Sequence, residues 1–131
     1  PELPEDGRIV QKLKEDTMLD TNLKHIDSVD KFNDLVKSGK KAAIVCGRMG
    51  PMCIPVYGVM EALEPKYPDV EFYDMEFDSP IGMKTIRSLP ETRSFNGLPF
   101  TVYLRDGKVV AATSSIQSKA QVKAILDEKL V

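Results

Sequence analysis

The sequence predicts an α/β domain with a mixed central β-sheet flanked by helices, and three observations carry that prediction. Short apolar or alternating runs take turns with segments whose apolar residues fall at helical spacing. The early strands are thus separated by helices, the connection parallel neighbours require. Near the carboxyl end Asp106-Gly107 joins two alternating runs with no room for a helix, so that pair is an antiparallel hairpin. A chain of 131 residues, 42% hydrophobic and 29% charged, forms one domain with a substantial core. An amino-terminal extension, residues 1–22, precedes it, and residues 23–131 make up the α/β unit.

The first seven residues are acidic and Pro-rich and read as an arm. Ile9, Val10, Leu13 and Leu19 give a weak helical period, which places a short extra helix over residues 8–18. A short strand follows at residues 23–26. Asp27-Ser28 caps a helix carrying Val29, Phe32, Leu35 and Val36 on one face, and Ser38-Gly39 ends it. The run 42–46 is a buried strand. After a Gly/Pro turn, Val56, Val59, Met60 and Leu63 line a second helix, which Pro65 and Pro68 stop. Residues 70–77 alternate as a strand, with Val70, Phe72 and Asp74 in one phase. Ser79-Pro80 opens a short helix through Met83, Ile86 and Leu89. Residues 91–96 are a polar loop. Strands at 100–104 and 108–113 flank the hairpin turn, and Ser118 with Gln121 forms a capping box for a last helix faced by Val122, Ile125, Leu126 and Leu130.

A formal net charge of -2 gives no basic excess for nucleic acid. No apolar run reaches the roughly 18 residues of a membrane span, and the amino end lacks the charged and apolar regions of a signal peptide. Because the chain begins with Pro, a preceding segment is expected to have been removed. Two cysteines suit either one extracellular disulfide or one intracellular redox pair, so the compartment stays open between cytoplasmic and exported. Oligomeric state is likewise open.

Both cysteines border a single turn, Cys46-Gly47-Arg48-Met49-Gly50-Pro51-Met52-Cys53. A turn leading from a buried strand into a helix presents free N–H groups that favour anions such as a thiolate. Cys53, in the first helical turn with Arg48 nearby, is the expected exposed nucleophile. Cys46, ending a buried strand, reads alone as a small inert hydrophobe. Asp74, Glu76 and Asp78 are expected to form a solvent-facing edge, Lys40-Lys41 a solvated strand entrance, and Tyr57, Tyr67, Phe72, Phe77, Phe95 and Phe100 core or flanking aromatics.

The chain resembles the thioredoxin family over residues 23–130. The resemblance rests on the strand-turn-helix at 45–63, Asp78 after the next strand, Leu98-Pro99 before the hairpin, Asp106-Gly107 and Ser118. It implies the thioredoxin-like fold, with Leu98-Pro99 as a cis peptide lying against the active-site turn. The departures are specific. In the ungapped register Met49-Gly50-Pro51-Met52 stands in place of the family's C-G-P-C motif, Arg48 in place of its tryptophan, and Ala43 where a buried aspartate is common. A register shifted by one residue puts Cys53 in the second cysteine's place, with Pro55 in the first helical turn.

Two functions follow as expectations. The first is an atypical thiol-disulfide oxidoreductase acting on protein or peptide partners without a cofactor. In it Cys53 attacks, Cys46 pairs with it across six residues as a C-x6-C site, and Arg48, Met49, Gly50, Pro51, Met52, Leu98 and Pro99 bind substrate. The second is a redox-inactive binding module whose apolar surface is Met49, Met52 and Pro99. Cys46, Met49, Met52 and Cys53 offer sulfurs suited to Cu(I). The copper-handling relatives carry a closer cysteine pair and a following histidine, whereas the one histidine here is His25. No metal site is therefore assigned, and Cu(I) binding is a minor alternative.

Overall fold

The computed structural model describes residues 19–92 and 97–130. The expected helix over 8–18, Phe95 and the end of the 91–96 loop lie outside them. Five strands form one sheet: β1 (Lys24–His25), β2 (Lys41–Gly47), β3 (Val70–Glu76), β4 (Phe100–Arg105) and β5 (Lys108–Ser114), in the order β1-β3-β2-β4-β5. β3 runs parallel to both β1 and β2, while β4 is antiparallel to β2 and to β5. The sheet is mixed, as expected, because only the β4–β5 connection is short enough to be a hairpin.

Among the described residues four helices cover it: α1 (Val29–Ser38), α2 (Ile54–Leu63), α3 (Pro80–Lys84) and α4 (Lys119–Lys129). Their ends follow local chemistry. Ser28, Ser79 and Ser118 each accept a hydrogen bond from a backbone N–H of the first turn, and Ser118 and Gln121 complete the capping box. Gly39 closes α1 with φ 70°, a conformation that glycine adopts without a Cβ penalty. Asp106 and Gly107, at φ 55° and 77°, make the tight hairpin turn. The helix through Met83, Ile86 and Leu89 is shorter than its spacing implies. It breaks at Thr85 and resumes as single 3-10 turns at Ile86–Ser88 and Pro90–Thr92, leaving Met83 exposed and Ile86 buried.

Strand alternation splits the core in two. Ala43 and Val45 of β2 face α2 and α4, meeting Val56, Tyr57, Met60, Val122 and Leu126. Ala42, Ile44 and Cys46 face the other way, toward Phe32 and Leu35 of α1 and toward Ile86. Leu19, 2% exposed, belongs to the first cluster.

Candidate functional site

β2 ends at Gly47, and the turn that follows is closed on itself. The N–H groups of Cys53 and Ile54 both donate to Gly50 O at 3.0 Å, which puts Cys53 at the N-cap of α2 and Pro55 in the first turn, where no N–H is needed. The Cys53 sulfur is aimed back over the end of β2. A Cβ at Gly47 would lie 2.8 Å from Cys53 Sγ, 2.7 Å from the Tyr57 hydroxyl and 3.0 Å from Pro99 Cβ. Those three side chains therefore share the space that glycine leaves. The Leu98-Pro99 peptide is cis.

Arg48 N–H donates to Cys53 Sγ at 3.4 Å, and the Tyr57 hydroxyl donates to Arg48 O at 2.9 Å. Burial, with the nearby Cys53 charge second, pushes the Tyr57 phenol far up, so it stays a protonated donor. Cys53 is 3% exposed, not the open nucleophile expected, because the turn folds its side chain inward against Gly47 and Pro99. The Arg48 guanidinium, which sequence reasoning set beside the thiol, is held instead by Asp78 through Nε at 2.7 Å and Nη2 at 2.9 Å. That fork keeps the Asp78 carboxyl below the usual range. It also lies 5.2 Å from the Phe77 ring, whose centroid Arg87 approaches to 4.0 Å.

Cys46 is fully buried in the other half of the core, on the face toward Phe32 and Ile86. Burial drives its thiol well up, with Arg87 opposing in part. Both thiols are free. The sulfurs of Cys46, Met49, Met52 and Cys53 are thus divided between the two faces of the sheet and the surface, with Met49 45% and Met52 49% exposed. Among the described residues no group of three or more His, Cys, Asp or Glu is placed to hold a metal ion.

A groove of about 420 Å³ runs between two walls. One wall is Arg48, Gly50, Pro51, Met52 and Cys53; the other is Gly97, Leu98 and Ser115. Of the residues expected to bind substrate, Arg48, Gly50, Pro51, Met52 and Leu98 line it, whereas exposed Met49 and buried Pro99 do not. Met49 accepts a 3.4 Å contact at Sδ from Asp20 N–H, so the segment after the arm lies against the turn. Ile54 and Ile116, 48% and 44% exposed, extend the apolar surface.

Asp74 corrects another expectation. It is 1% exposed, and its carboxylate takes a hydrogen bond from the Thr21 hydroxyl while facing His25 Nδ1 at 2.6 Å. Burial raises its pKa against the pull of those two partners. The signal was its phase: Asp74 alternates with Val70 and Phe72, which puts it on their face of the sheet. Glu76 and Asp78 are partly and largely exposed. The family's buried aspartate has no counterpart at Ala43, yet a buried carboxylate stands on the neighbouring strand, opposite Val45. The Tyr57 hydroxyl's bond to Arg48 O and the close approaches at Gly47 and Gly97 left no comparable mark in the sequence, since each depends on a contact with a distant residue.

No protein-family model matches the chain, and no curated protein matches it closely enough to count as a relative. Solved structures do. The chain is similar to thioredoxin O2 from Arabidopsis thaliana in the oxidised state, at 15% identity and a TM-score of 0.65 over 86% of this chain and 97% of that one. It is similar to thioredoxin from Trypanosoma brucei brucei at 17% identity and 0.67, covering 83% and 91%. Mitochondrial thioredoxin 3 from Saccharomyces cerevisiae in its oxidised form matches at 23% and 0.58, covering 80% and 94%. At such identities the likeness is one of fold.

Proposed function

We propose that this chain, whose fold is that of the thioredoxins, holds an extended segment of a partner protein in the groove between the 48–53 turn and Leu98, with Cys53 as the single thiol presented to a cysteine or disulfide of that partner. One observation carries the reading: of the two cysteines, only Cys53 lines the groove, while Cys46 belongs to the opposite core. Pro51, Met52 and Leu98 supply apolar contact, and adaptable methionine suits partners of varied shape. Where the partner carries a disulfide, the Cys53 thiolate attacks one sulfur and a mixed disulfide forms. The other partner sulfur leaves as a thiolate and takes up a proton.

Binding of arrayed extended 12-residue peptides tests the reading. Met52→Glu is expected to abolish capture, because a carboxylate would replace the apolar contact that Met52 offers the peptide, while Cys53→Ser retains non-covalent capture and loses covalent adducts. Unchanged capture by Met52→Glu would refute the groove as the site.

A second reading, a C-x6-C dithiol oxidoreductase, draws on the fact that only Gly47, with no side chain, follows Cys46 toward the Cys53 sulfur. Here Cys46 would attack the mixed disulfide at Cys53 Sγ and free the partner as a thiol. Intact mass across glutathione redox buffers decides it: a reversible loss of two hydrogens per chain at potentials between roughly -120 and -270 mV supports a dithiol couple. Independent thiols at every potential leave the monothiol groove.

A further inference from the structure

Ser115 follows β5 with φ 67°, the left-handed region in which any residue with a Cβ is strained. The other non-glycine with positive φ, Asp106, is accounted for by the hairpin turn. Ser115 has no such account. Its hydroxyl has no hydrogen-bond partner among the described residues, and the neighbouring Gln117 amide goes to Ser114 O and Ile116 O instead. The strain points the side chain into the groove wall, over Gly97. A Cβ at Gly97 would lie 2.4 Å from Ser115 Oγ, so this position of the hydroxyl exists only because residue 97 is glycine.

Across the groove the polar groups are committed: the Arg48 guanidinium to Asp78, the Cys53 sulfur to Arg48 N–H. The rest of the lining is apolar side chain or glycine. A hydroxyl that can donate to a carbonyl and accept from an N–H is suited to a peptide group. Strain held at a site without an internal reward is the pattern of a residue preorganised for a ligand. We infer that Ser115 is a specificity-determining residue of the groove, hydrogen-bonding the backbone of the bound extended peptide. The inference rests on the peptide-groove reading above.

The test compares two thiol probes on the full chain. One is Ac-Leu-Cys-Leu-NH2 as its mixed disulfide with 2-thiopyridine; the other is 2,2′-dipyridyl disulfide, which has no peptide group. In each, Cys53 thiolate attacks, a new disulfide to Cys53 forms, and pyridine-2-thione leaves with a proton, read by its absorbance; Cys53→Ser gives the background. The wild-type chain is expected to prefer the peptide probe. Ser115→Ala, which keeps the strained backbone and loses the hydroxyl, is expected to slow the peptide probe about tenfold and leave the small probe unchanged. Ser115→Gly is expected to show the same loss with a raised Tm, because glycine relieves the strain. A peptide preference that survives both substitutions overturns the role of Ser115 and leaves the groove reading standing. Loss in Ser115→Gly alone shows that backbone shape matters rather than the hydroxyl, and also overturns it. A wild-type chain with no preference for the peptide probe defeats the groove reading itself, and the inference with it.

Discussion

Asp74 is buried with its carboxylate divided between Thr21 and His25, and burial outweighs both partners in setting its protonation. Its proton is held more tightly in the folded chain than in the unfolded one. Such a group stabilises the fold fully below its unfolded pKa, near 4, and that contribution is lost as pH rises through the folded value. The groups that face it are His25 on β1, the Thr21 hydroxyl, Glu76 on β3 and Tyr57 on α2. Asp74→Asn keeps the shape and removes the charge. Urea unfolding from pH 4 to 8 is expected to show the wild-type chain losing stability relative to Asp74→Asn as pH rises. Parallel curves for the two proteins would contradict this.

Gly47 links two elements, the end of β2 and the first turn of α2, through a space too small for a methyl group. An added Cβ would meet the Tyr57 hydroxyl, the Cys53 sulfur and the Pro99 ring at 2.7 to 3.0 Å. None of these is the free end of a long chain that could swing away. Gly47→Ala is expected to cost about 1–3 kcal/mol as overpacking and to push Cys53 outward. Chemical denaturation reads the first effect, and faster Cys53 alkylation in the native state reads the second. The segment before β1 is tied to the same region. Asn22 N–H bonds Glu61 of α2 at 2.7 Å, Asp20 N–H meets Met49, and Leu19 and Leu23 pack in the cluster that holds Cys53.

At the level of the molecule, the sheet is a partition between two cores, and each thiol belongs to one of them. Cys53 borders an open groove, whereas Cys46 is reached only when the α1 side of the sheet comes apart. Native-state alkylation at pH 8, read by peptide mass, is expected to modify Cys53 first, with Cys46 reacting at a rate that follows global unfolding in added urea. Equal labelling of both at zero denaturant would mean that the two cores open together. Among the described residues no helix is long and apolar enough to cross a membrane. Four of the exposed apolar side chains, Met49, Met52, Ile54 and Ile116, lie on the groove or next to its lining residues, while Met83 is exposed on α3.

Sequence alone determined what short-range chemistry decides. The caps at Ser28, Ser79 and Ser118, the left-handed Gly39, the Asp106-Gly107 turn and the buried faces of α1, α2 and α4 all depend on residues within a few positions of one another. Those signals sufficed for the α/β class and the order of the described elements. They did not reach the Asp74 pair with His25, 49 residues away, or its bond from Thr21, 53 away. Nor could they show that Gly47 and Gly97 make room for Cys53 and Ser115, or that Cys46 on β2 and Cys53 at the N-cap of α2 pack in opposite cores. A carboxylate's environment, a sulfur's exposure and a hydroxyl's lack of partners are properties of the neighbours that folding brings in from elsewhere. Only the tertiary structure decides those.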